Sequence, residues 1–137
     1  MTKPRAFLSF DFDHDAQAKI LFAGQCHALS PTPFTAQDWS SKEALPQHTW
    51  EETIRGKINR TNMMIVLVGE HMGSATGVVT EIAMAHAMSV PIFGVYANGA
   101  GRLSMLPTGL IRSRVVPWEW DKIAAMVPQM MTEGKNA

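Results

Sequence analysis

Six consecutive apolar positions, residues 63–68, stand between Asn62 and Gly69. A run of that length without polar alternation predicts a strand covered on both faces, at the centre of a parallel sheet. Residues 5–10 predict a second buried strand, and residues 91–96, opened by Pro91, a third. Residues 34–36 fit a short strand, and Val115 with Val116 a short edge strand. Between these runs the apolar period turns helical. Residues 14–29 predict a helix with Ala18, Leu21, Phe22 and Gln25 near one face, stopped by Pro31 and Pro33. Thr49 and Glu52 have the spacing of a capping box. The helix they would open carries Trp50, Ile54 and Ile58 four residues apart. Residues 77–88 predict another helix, striped by Val78, Ile82 and Ala85. Trp120, Ile123, Ala124 and Val127 mark a last one, which Pro128 is expected to kink or end. Residues 37–48, 69–76 and 97–114 are left as loops.

Strands alternating with helices predict an α/β fold with a parallel sheet and helices on both faces, a three-layer sandwich. Five strands in one domain spanning residues 1–137 suggest the flavodoxin-like order 2-1-3-4-5. In that order the topological switch point lies between strands 1 and 3. Ligands bind there, beyond the carboxyl ends of the strands. The loops at that point are residues 11–15 and 69–76.

Composition changes the picture mainly by exclusion. Twelve basic side chains against twelve acidic ones make the formal charge zero. No electrostatic footprint for nucleic acid or an anionic membrane follows. Apolar runs are far shorter than a membrane span, and no signal-peptide core follows the N-terminus, so a cytoplasmic protein is expected. The single Cys26 suits a reducing compartment and fits a small buried hydrophobe.

The motifs narrow the chemistry further. There is no phosphate-binding P-loop, and no dinucleotide fingerprint follows the first strand. The third strand ends at Val68, Gly69 and Glu70, not at the aspartate of a phosphoacceptor receiver. The five histidines show no paired metal spacing and fit ordinary surface or core positions, so no metal is expected. Glu81 is different: it is the one acid in an otherwise nearly uncharged helix, in the first turns after the switch-point loop. A helix macrodipole favours an acid there, and so does catalysis at the crevice. Ser9, Asp11, Asp13 and Asp15 follow the first strand. Asp13 or Asp15 is expected to cap the next helix, while Asp11 sits nearest the strand end and suits binding. Trp39 is read either as an anchor folding a polar loop or as a lid ring over a flat ligand.

Taken in order, these segments resemble TIR-like domains. Ala6 to Asp11 resembles their opening strand, and Asp38, Trp39 and Ser40 the short motif after their second strand. Trp50, Ile54 and the run Ile65 to Gly69 resemble the helix and strand that follow. The stretch from Ser74 to Ala85, with Glu81 followed by Ile82, resembles the segment that holds their catalytic glutamate. The resemblance spans residues 5–96 and is closest to the small TIR-like proteins of bacterial Thoeris-type antiphage defence.

What the resemblance implies is NAD cleavage, with NAD as substrate and no cofactor. Glu81 would be the catalytic carboxylate, holding the hydroxyls of the nicotinamide-side ribose and stabilising the oxocarbenium-like centre as nicotinamide leaves. Ser9, Phe10, Asp11, Asp38, Trp39 and Ser74 would bind substrate. The acceptor is water, a second nucleophile of the same molecule, or a separate small molecule. The product is then ADP-ribose, a cyclic isomer or a conjugate, and it would activate a separate effector protein. Many TIR enzymes carry a Trp four residues before the glutamate; this chain has Gly77. Trp39 and Phe10 are the candidates to replace that ring. The alternative is a catalytically silent interaction module that self-associates, with Met105 and Leu106 on the contact loop; a homo-oligomer is compatible with either reading. A deoxyribosyltransferase-like enzyme with a nucleophilic glutamate is a third.

Overall fold

The computed structural model describes residues 3–31, 33–39 and 47–134, with the side chains of residues 37–39, 47, 48 and 74 outside that description. Five parallel strands form one sheet: β1 (Arg5–Ser9), β2 (Thr35–Trp39), β3 (Met63–Val68), β4 (Ile92–Tyr96) and β5 (Val115–Val116). Their order is β2-β1-β3-β4-β5, as the alternation of elements predicts. The apolar run forms β3, buried along its whole length and paired to β1 on one side and β4 on the other. A parallel strand with a helix-bearing crossover on each flank has no face left for water, which is why an unbroken apolar run suits it.

Four helices complete the layers: α1 (Ala16–Ala28), α2 (Gln47–Asn59), α3 (Thr76–Ala87) and α4 (Trp120–Glu133). Successive side chains of a strand face opposite ways. Ala6, Leu8, Met63, Ile65, Leu67, Phe93 and Val95 therefore pack with α1 and α4. Phe7, Met64, Val66, Val68 and Ile92 pack with α2 and α3. Ile54 and Ile58 of α2 are fully buried, and Trp50 packs beside them, as their spacing predicts.

Several boundaries and faces differ from the sequence reading. In α1 the buried stripe is Ala18, Phe22 and Cys26, while Leu21 is 57 % exposed. Gln25 instead accepts hydrogen bonds from the indole N–H groups of Trp118 and Trp120, both at 3.0 Å, tying α1 to α4. The helix turns its polar amide, not Leu21, toward the aromatic cluster because two indole donors there need an acceptor. Cys26 is buried and donates weakly to the carbonyls of Ala23 and Phe34; burial pushes its thiol up and away from the reactive thiolate. The helix α2 begins at Gln47, so Thr49 lies within it and is not its cap; its carbonyl accepts the Thr53 hydroxyl at 3.0 Å. Pro128 does not end α4, which runs on to Glu133. β2 is longer than expected and includes Trp39, paired opposite Leu8. Residues 40–46 of the expected polar loop lie outside the described residues.

Candidate active site

The sheet order puts the β1–α1 and β3–α3 loops side by side at the carboxyl edge, where the chain turns toward opposite faces of the sheet. The Ser9 side chain points to the same face as Phe7, toward α3. Val78, Ile82 and Ala85 press α3 onto that face. Glu81 neighbours this stripe and is carried over the end of β1. Its Oε1 accepts the Ser9 hydroxyl at 2.7 Å. Both residues are buried, Glu81 at 1 % exposure. A carboxylate so removed from water is costly unless hydrogen bonds replace its hydration. A hydroxyl donor to an ionised group contributes about 1.5–3 kcal/mol toward that cost. The acid is therefore held at the carboxyl end of β1.

The β1–α1 loop is built around Asp11. One carboxylate oxygen accepts the Asp13 backbone N–H at 3.1 Å and the other accepts Nδ1–H of His14 at 2.7 Å. The Asp11 carbonyl accepts the backbone N–H groups of His14 and Asp15, closing the turn. The His14 imidazole stacks on that of His71, with ring centroids 3.8 Å apart and planes 17° from parallel. His71 belongs to the β3–α3 loop, so the two rings span the loops that diverge at the switch point.

Asp15 stands at the N-cap of α1 but makes no capping hydrogen bond. Its Oδ1 accepts the Asn98 side-chain amide at 2.7 Å, reaching over to the loop after β4. Its Oδ2 has no hydrogen-bond partner. The carboxylate lies against Gly69 at the end of β3, and desolvation by burial raises its proton affinity above the ordinary aspartate range. The side chain is drawn there, away from the helix amides, by the Asn98 donor and by the room over a residue without Cβ.

The substrate-binding set drawn from the sequence is divided by the structure. Ser9 touches Glu81, and Asp11 holds His14. Phe10 is 3 % exposed and packs in the α1/α4 layer, stacked at 6.0 Å on Phe12, so its ring sits in the layer opposite α3. Asp38 and Trp39 close β2, the strand next to β1 at the same edge, and Ser74 ends a 3₁₀ turn (Met72–Ser74) just before α3; their side chains lie outside the described residues. Gly77 is exposed with open space around it. His14, His71 and Asn98 were not singled out by sequence. A histidine three residues after an aspartate, in the turn before a helix, was the one local signal for the first; the stacking partner comes from a distant loop.

Among the described residues no group of three His, Cys, Asp or Glu side chains is arranged to hold a metal ion. A cavity of about 400 Å³ opens at the amino end of β4, lined by His86, Leu110, Ile111, Arg114 and Glu133. The Arg114 guanidinium there is spent on the Ile92 carbonyl and the Glu133 carboxylate.

No helix is long and apolar enough to cross a membrane among the described residues. No curated protein matches the chain. A family model described as Thoeris protein ThsB, TIR-like domain, matches residues 7–102.

Proposed function

The chain belongs to the family of Thoeris ThsB TIR-like domains, and from that membership in an antiphage system we propose that it cleaves NAD, releasing nicotinamide and making an ADP-ribose-derived signal. The observation that carries the reading is Glu81: a buried carboxylate at the carboxyl end of β1, beside the switch point, with one oxygen fixed by Ser9 at 2.7 Å. Breaking the bond between C1′ and the nicotinamide nitrogen leaves positive charge on the ribose. A carboxylate already oriented, in a site from which water is largely excluded, stabilises that charge without having to reorganise. Nicotinamide departs as a neutral molecule from a cationic substrate, so its departure needs little acid assistance. Glu81 would hold the ribose hydroxyls, with Asp38, Trp39 and Ser74 at the same edge available for the rest of the substrate. The product, as ADP-ribose, a cyclic isomer or a conjugate, would act on a separate effector protein in the cytoplasm.

The test is incubation of concentrated protein, wild type and Glu81→Gln, with NAD, followed by mass-resolved chromatography. Release of nicotinamide by the wild type alone supports the reading, and the mass of the second product names the acceptor. Normal turnover by a folded Glu81→Gln variant sinks it. A second reading, a silent interaction module, draws on the loop after β4, where Leu103 is fully exposed and Met105 and Ile111 are mostly so. No release by the wild type at any concentration, with lysate of phage-infected cells added, favours that module.

A further inference from the structure

We propose that His14, oriented by Asp11, is the general base that takes the proton from a hydroxyl acceptor as it attacks the ribose; this rests on the reading of Glu81 above. The proposed reaction has two halves with different needs. In the first, the electron pair of the C1′–N bond leaves with nicotinamide. In the second, an acceptor oxygen forms the new bond to C1′ and must lose its proton. The balance is NAD⁺ plus an alcohol or water giving nicotinamide, an ADP-ribosyl product and H⁺. Glu81 suits the first half. Its Oε1 already accepts a hydrogen bond from Ser9, and its negative charge is needed opposite C1′ while the acceptor arrives. A second group has to receive the proton.

His14 has the construction of such a group. Its Nδ1–H is given to Asp11 at 2.7 Å, which fixes one tautomer and leaves the Nε2 lone pair as the acceptor. Asp11 is itself fixed, because its other oxygen accepts the Asp13 backbone N–H at 3.1 Å. The stack on His71 holds the imidazole plane. The ring is therefore locked about all the torsions that would aim Nε2 elsewhere. The placement fits as well. Asp11 lies two residues beyond Ser9, so Glu81, carried by α3, and the Asp11–His14 pair, in the β1–α1 loop, both stand at the carboxyl end of β1. The His14 side chain is 44 % exposed, open to an acceptor and to the solvent that finally takes the proton. Nε2 receives the hydroxyl proton as the C–O bond forms and releases it to water, regenerating the base.

Acceptors that lose no proton separate this role from simple support of the site. A pyridine nitrogen attacks with its lone pair and needs no base; a hydroxyl does. Wild type and His14→Asn are incubated with NAD, methanol and isotope-labelled nicotinamide, and the products are resolved by mass. Asparagine keeps an N–H for Asp11 and removes the distal nitrogen. The ratio of hydroxyl-derived products (ADP-ribose and its methyl glycoside) to label-exchanged NAD is expected to fall by a factor on the order of 10² in the variant. Asp11→Asn, which loosens the ring without removing it, is expected to lower the same ratio by less. An unchanged ratio in His14→Asn overturns the proposal, as does a wild type that makes no hydroxyl-derived product at all. Failure of the underlying reading looks different: wild type and Glu81→Gln alike then release no nicotinamide and exchange no label, and the base role falls with it.

Discussion

The carboxylate of Asp15 occupies the space that a side chain on Gly69 would need. A Cβ built on Gly69 falls within 2.6 Å of the Asp15 carboxyl carbon and inside contact with its oxygens. The first residue after β3 and the N-cap of α1 thus exclude one another's growth at the point where the sheet's two wings part. Gly69→Ala is expected to destabilise the protein by about 1–3 kcal/mol, as overpacking of a tight site does. Removing the obstacle with Asp15→Ala in the same chain is expected to recover part of that loss. Denaturant unfolding of the two single variants and the double variant checks it: a double variant whose loss equals the sum of the single ones shows that the two do not compete.

Asp15 also carries a pH signature. Burial is the largest influence on its carboxyl and raises its proton affinity; the neighbouring Asp11 raises it further, while the Asn98 hydrogen bond and the nearby His71 and His14 oppose. A group whose affinity for the proton is raised on folding stabilises the fold in acid. That contribution is complete below the carboxylate's unfolded range and is lost as pH rises through its raised folded value. Above that raised value, the charged Asp15 is therefore a cost. Asp15→Asn keeps the oxygen that Asn98 reaches and removes the charge. Its melting temperature is expected to exceed the wild-type value at the alkaline end of the range, with the gap closing on acidification. Thermal scans from pH 4 to pH 8 measure this, and a gap that widens in acid contradicts the assignment.

Ser9→Ala tests the support under Glu81. The hydroxyl is the donor at 2.7 Å to a carboxylate that water hardly reaches. Its loss is expected to cost about 1–3 kcal/mol of stability, the range for leaving a buried acceptor short of a donor. Under the proposed function, nicotinamide release is expected to fall along with stability. Ser9→Thr, which retains the hydroxyl, should keep more of both than alanine does. Equal stability in Ser9→Ala and wild type would mean that another group takes over the oxygen.

The sheet was legible in the chain because its central strand has no polar residue to misplace: Met63 to Val68 admit one reading, and the order of the remaining strands follows from how βαβ units wind. Glu81 was legible for the converse reason, as a charge where the pattern wants none. Leu21 was misjudged because periodicity counts apolar residues and cannot see the indole donors of Trp118 and Trp120, which arrive from the other end of the chain and are met by Gln25 on the Phe22 face, where it was expected. The same blindness hid Asp15 and the His14–His71 stack. Capping preferences describe a helix by itself, whereas Asn98 and Gly69 belong to other loops. Pro128 was expected to kink or end α4; it does not end it, and Ile123, Val127 and Met130 bury one face across it.

The bond between Ser9 and Glu81 joins positions 72 residues apart. A ribosome adding about 5–20 residues per second takes roughly 4–14 s to travel that distance. Through most of that interval β1 exists without the central strand that must separate it from β4, and to its end without the complete helix that brings the acid to it. The carboxylate is thus set in place only midway through synthesis, by a sheet that cannot close around it any sooner. A nascent chain is inert in this respect until its middle third has folded onto its beginning.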